Sequence, residues 1–130
     1  MSKKETPMTR RYWERVGGTL VEEFCAQKKT SETGRRLLDA IIITEGEQKI
    51  ASQSEVSIEG KDIIIVQAKA NRLGMSVMGQ ALFSIGLMQK FKPRSIRSVA
   101  LVAKDDRELR EIFLLHENVE IVIDEYPATK

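Results

Sequence analysis

The chain reads as an α/β protein: one domain with a central mixed sheet flanked by helices. Three stretches predict this. Ile63 to Val66 is an unbroken β-branched run, suited to a strand buried on both faces. Met75 to Phe91 is apolar over several turns and stops just before Pro93, as a helix would. Ser98 to Ala103 is a second buried strand. A strand, a helix and a strand in that order imply a right-handed crossover between parallel neighbours.

The remaining elements follow in order. Met1 to Thr6 reads as a loose polar arm, and Pro7 or Thr9 can open a helix with Trp13, Val16 and Gly17 on its inner side. The stripe Trp13, Val16, Leu20, Phe24 could prolong that helix. The pair Gly17-Gly18 favours a break, because each glycine weakens a helix interior by roughly 1 kcal/mol. A strand from Thr19 to Ala26 then turns through the polar stretch Lys28 to Gly34 and returns antiparallel as Leu37 to Thr44. Gln48 to Ser54 is an exposed strand or a loop, and Glu55 to Ile58 alternates as an edge strand would. Beyond Ala103, Asp105 or Asp106 caps a helix through Leu115, with Leu109, Ile112, Phe113 and His116 as its apolar stripe, and Val119 to Ile123 is the last strand.

Composition narrows the chemistry. The 130 residues suit a single core, and the lone Cys25 and lone His116 exclude an intramolecular disulfide and a multi-histidine metal site. Cys25 reads as an inert core thiol, His116 as a structural histidine, and Met75, Met78 and Met88 as core fillers. The N terminus is polar through Arg11, and no apolar run approaches the ~18 residues of a membrane span, so the expectation is a cytoplasmic protein without a membrane partner. Net charge is only +2, yet Ala70 to Ser98 carries five basic residues and no acid. Uneven but solvated charge explains that as well as a polyanion footprint does.

The central strand ends in Gln67-Ala68-Lys69, an amide and an amine closing an apolar run. Alternation sends Gln67 and Lys69 to one side and Ala68 to the other. If Leu37 to Thr44 pairs alongside, Asp39 reaches the same edge. Each residue alone has an ordinary explanation: a buried Asp39–Lys69 salt bridge, a strand-end amide at Gln67, a solvated Glu14, a packing amide at Gln80. Their order is more specific. A helix, a strand led by Asp, a strand ending in Gln-x-Lys and a crossover helix resemble the PD-(D/E)xK, or restriction endonuclease-like, nuclease superfamily. The glutamine variant is similar to Mrr-type restriction endonucleases. Leu38 stands where the family name has Pro, and Gln67 stands where it has an acid.

The resemblance covers roughly Tyr12 to Val102. It implies an αβββαβ core, here with an additional C-terminal α-β unit. It implies Mg²⁺-dependent (or Mn²⁺-dependent) hydrolysis of DNA phosphodiester bonds, in restriction, repair or recombination. Catalysis would fall to Asp39, Gln67, Lys69 and a first-helix acid, Glu14, with Glu22 or Glu23 in its place if that helix runs to Phe24. Asp39, the Gln67 amide oxygen and the Ala68 carbonyl would hold the metal. Arg35, Arg36, Arg72, Lys90, Lys92, Arg94 and Arg97 would grip the nucleic acid, and Gln80 would support the site. DNA, including branched or single-stranded forms, is the expected partner, with a homodimer as the expected assembly and an accessory protein as a further partner. A nuclease-like domain that binds without cutting, or that oligomerises through its apolar helix, is the alternative.

Overall fold

A computed structural model describes residues 3–125. Helix α1 (Glu5–Val16) is followed by strands β1 (Thr19–Gln27), β2 (Arg36–Ile43), β3 (Lys49–Ile50) and β4 (Asp62–Arg72). Helix α2 (Met75–Met88), β5 (Ser95–Lys104), α3 (Arg107–Phe113) and β6 (Val119–Ile123) follow among the described residues. The strands form one mixed sheet in the order β3-β1-β2-β4-β5-β6. β2 is antiparallel to β1 and β4, whereas β4, β5 and β6 run parallel. No helix among the described residues is long and apolar enough to cross a membrane.

The β-branched run behaves as its composition demands. Ile63 through Val66 are buried, and alternate residues feed opposite cores. Ile64, Val66 and Ala68 pack with Ala40, Ile42, Met8 and Tyr12 on the α1 side. Ile63 and Ile65 pack with Ile41, Ile43 and Met88 on the other. There α2 and α3 also cover Ala100 and Val102 through Val77, Ala81 and Phe113.

The glycine pair breaks α1 where expected. Gly17 and Gly18 both take positive φ, at 79° and 84°. A Cβ on Gly18 would lie 2.4 Å from the Ile43 carbonyl oxygen, so no side chain fits there. The Trp13 indole N–H, 2.7 Å from the Gly18 carbonyl, ties the break down.

Four local expectations are corrected. Helix α1 starts at Glu5, inside the supposed arm, and its inner face is Met8, Thr9 and Tyr12, while Val16 is exposed. Glu55 to Ile58 forms no strand: Ser52 and Glu55 close a capping box around a 3₁₀ turn at Gln53–Glu55, which outweighs the short alternating pattern. In α3 the apolar stripe stops at Leu109 and Phe113; Ile112 and His116 are exposed. Met75 is no core filler, since 75% of it is accessible.

Candidate functional site

β2 and β4 pair from Ile43↔Ile63 to Ala40↔Val66 and no further, although β2 continues back to Arg36 and β4 on to Arg72. The strands part there for a local reason. Leu38 and Ile41 pack into one core cluster, and so do Val21 and Phe24 of the neighbouring strand. Residues three apart cannot share a face of a regular strand, so alternation is interrupted in both. The residues between include Asp39 and Glu23, and Glu23 takes a left-handed φ of 52°.

Parting the strands leaves N–H groups of β4 without a ladder partner, and carboxylates take them. Ala68 N–H donates to Asp39 Oδ2 at 2.8 Å. Ala70 N–H donates to Glu5 Oε2, also at 2.8 Å. Glu5 can do this because it lies three, four and seven residues before Met8, Thr9 and Tyr12, on the face of α1 that packs on the sheet. Glu14 is nine residues beyond Glu5, roughly 14 Å along the helix. It is exposed beside Arg11, Arg15 and Asp124 at the far end. The first-helix acid at the site is therefore Glu5, not Glu14. Of the other two acids named from sequence, Glu22 is held by Arg10 through two 2.9 Å bonds, and Glu23 lies on β1 at the level of Asp39.

Gln67 joins the same spot from the α2 side. It is 5% exposed, its Oε1 accepts from Asp39 N–H at 3.3 Å, and its Nε2 donates to Ser84 Oγ at 2.8 Å. The Ser84 hydroxyl donates in turn to the Gln80 carbonyl at 2.5 Å. The amide is thus fixed with its oxygen toward Asp39. Ser84 was discernible only as a residue four from Gln80 on one helix face. Lys69 follows Ala68 and is exposed; it makes no ion pair with Asp39, so the salt-bridge explanation of those two residues fails.

Burial lifts the Asp39 carboxyl above the ordinary aspartate range, and the charges of Glu5 and Glu23 add to that. The Ala68 N–H opposes both. Asp39 and Gln67 floor a cleft of about 570 Å³ between the start of β2, with Arg36 and Leu37, and α2, with Met75, Gly79, Gln80 and Phe83.

The basic residues divide between the two ends of the sheet. Arg35, Arg36 and Arg72 lie at the end where Gln67 and Lys69 emerge, with Arg72 donating to the Asp105 carbonyl. Helix α2 runs back along the sheet, so Lys90, Lys92 and Arg94 are carried to the start of β4, roughly 17 Å from Gln67 along the strand. Gly60 N–H donates to the Lys92 carbonyl there, and Arg94 pairs with Asp62 and Glu45. Lys90 lies over the Phe91 ring, and Arg97 pairs with Glu120. These four do not join the others around Asp39.

Comparison with known proteins gives no match among family models, curated proteins or solved structures. Among the described residues, no three His, Cys, Asp or Glu side chains group as a metal site. A carboxylate, an amide oxygen and a main-chain carbonyl form a different donor set. A strand residue turns its N–H and C=O to the same side, so the Ala68 carbonyl faces the gap beside the Asp39 carboxyl that its N–H bonds. Asp39 Oδ1, Gln67 Oε1 and this carbonyl are all hard oxygen donors, the kind Mg²⁺ takes when it keeps several waters.

Proposed function

We propose that the chain is a Mg²⁺-dependent nuclease that hydrolyses phosphodiester bonds of DNA. The supporting observation is the gap between β2 and β4, where a partly buried Asp39 sits among further acidic charge with a fixed amide oxygen at its side. Burial first, and those charges to a lesser degree, disfavour ionisation of Asp39, a cost that a bound cation would relieve. Asp39 would anchor the ion, with Gln67 Oε1 and the Ala68 carbonyl completing the protein's share. When bound, Mg²⁺ supplies Lewis acidity and makes water more acidic.

The chain's own groups do the rest. Glu5 holds the Ala70 N–H and so keeps the outer end of β4 in place. Lys69 follows Ala68 and is open to solvent, outside the residues that line the cleft; swung toward a bound phosphate, it would offset charge developing on the oxygens. Helix α2 opens on the same cleft with no side-chain cap at Gly74, so its first N–H groups present positive poles to an anion. Arg36 on the opposite wall takes a neighbouring phosphate.

The test is cleavage of supercoiled plasmid and of single-stranded circular DNA in Mg²⁺ or Mn²⁺. The wild-type chain is expected to cut, and Lys69→Ala to lose about 10²-fold or more. A wild-type protein that cuts with neither ion, or a Lys69→Ala protein that cuts equally well, overturns the reading.

A further inference from the structure

We propose that the outer face of α2 is a stacking platform for an unpaired nucleobase, which makes the substrate class single-stranded or flap-bearing nucleic acid. This rests on the nuclease reading and adds to it which form of nucleic acid the site takes. Helix α2 carries no charged residue from Met75 to Met88. Its inner face is buried, yet Phe83 is 79% accessible and Met75 75%. Met75, Gly79, Phe83 and Leu87 recur every fourth residue, so they form one stripe, and all of them line the cleft floored by Asp39 and Gln67. Gly79 leaves a notch between the two exposed side chains, because a Cβ there would meet nothing within 4 Å.

Shape and charge select the occupant. One wall is uncharged, with Met75, Phe83 and Leu87 beside the hydroxyls and amide of Ser76, Ser84 and Gln80, and it carries an exposed aromatic ring; the other carries Arg36; the floor is the acidic site. A nucleotide presents that combination: a flat neutral base beside an anionic phosphate. The cleft, about 570 Å³, lies within the ~300–1,000 Å³ range of small-ligand sites. A base within a duplex is stacked on its neighbours and cannot offer its face to Phe83, whereas an unpaired base can. A second copy of the chain fits less well. A stable interface takes ~20–30 residues a side, far more than this stripe supplies, and would cover the Asp39 cleft.

Fluorescence anisotropy of the full chain tests this, with a labelled single-stranded oligonucleotide and the same sequence as a duplex, at low salt. Single strand is expected to bind more tightly than duplex. Phe83→Ala should weaken single-strand binding by about tenfold to a hundredfold, while duplex affinity stays the same. Phe83→Trp should retain it. Because Phe83 is exposed, both variants should melt with the wild type. Equal single-strand affinity in wild type and Phe83→Ala overturns the proposal. So does a Phe83→Ala protein whose only change is conversion from dimer to monomer in light scattering, which would make the face a self-association surface. Cleavage of supercoiled plasmid and of single-stranded circular DNA by the same variants separates the two claims. Cleavage retained while single-strand binding ignores Phe83 removes this inference and leaves the nuclease reading. Absence of wild-type cutting and binding removes both.

Discussion

Gln67→Glu turns the glutamine into the acid found more widely in the resembled superfamily, and its cost can be worked from the structure. The wild-type amide donates to Ser84 Oγ at 2.8 Å, and the single Ser84 proton is already given to the Gln80 carbonyl at 2.5 Å. A carboxylate oxygen in place of Nε2 meets a lone pair, or draws the Ser84 proton away from Gln80. Either way one hydrogen bond is lost at a site 5% exposed, at about 1–3 kcal/mol. A second carboxylate beside Asp39 raises the total to roughly 3–5 kcal/mol, the size of an uncompensated buried charge. At ~4 °C per kcal/mol for a chain of this length, the variant should melt ~12–20 °C below the wild type in EDTA. Millimolar Mg²⁺ should recover most of that loss, because the added acid strengthens the cation's hold, and a ligand at a hundredfold excess over its Kd stabilises by ~2.7 kcal/mol. Circular-dichroism melts in EDTA and in Mg²⁺ decide it. Equal melting of the two proteins in EDTA, or a deficit that Mg²⁺ leaves unchanged, would refute the reasoning.

Three further outcomes are expected. Burial raises the Asp39 carboxyl, so its contribution to stability is full below the ordinary aspartate value of ~3.9 and is lost as pH rises through the elevated folded value. Asp39→Asn, which can still accept from Ala68 N–H, should therefore gain stability relative to wild type at pH 7 compared with pH 3 in urea unfolding; a pH-independent difference would contradict this. Asp62 runs the other way: hydrogen bonds from Arg94 and Ser95 hold it down to about 2, so its contribution is present above ~3.9 and fades as pH falls toward 2. Melts of Asp62→Asn should lose less between pH 4 and 2 than wild type, and parallel curves would count against the pairing. Glu5→Ala should cost about 1.5 kcal/mol by loss of the Ala70 bond and reduce cleavage, whereas Glu14→Ala should fall within ~0.5 kcal/mol and leave cleavage intact, as chemical denaturation and plasmid nicking can show.

The sheet was legible where one signal dominated. Ile63 to Val66 suits a doubly buried strand, Gly17-Gly18 favours a helix break, and pairing of Leu37 to Thr44 alongside then brings Asp39 beside Gln67. Glu5 was hidden by helix phase. Trp13 and Val16 drew the apolar stripe toward the wrong face, and Thr6-Pro7 hid that the helix begins at Glu5. The division of the basic residues was readable in principle, since a crossover helix reverses direction and takes Lys90, Lys92 and Arg94 away from the end where Lys69 emerges. The parting of β2 from β4 was not. It comes from the interrupted alternation at Glu23 and Asp39 on two paired strands, and no pattern within a single strand announces it.

The gap between those strands stands or falls on whether it takes a cation. Mn²⁺ titrated into the wild-type chain, followed by electron paramagnetic resonance, should show a saturable site that Glu14→Ala keeps and Asp39→Asn abolishes. Mn²⁺ bound equally by the Asp39→Asn protein, or not bound by the wild type, would contradict the account.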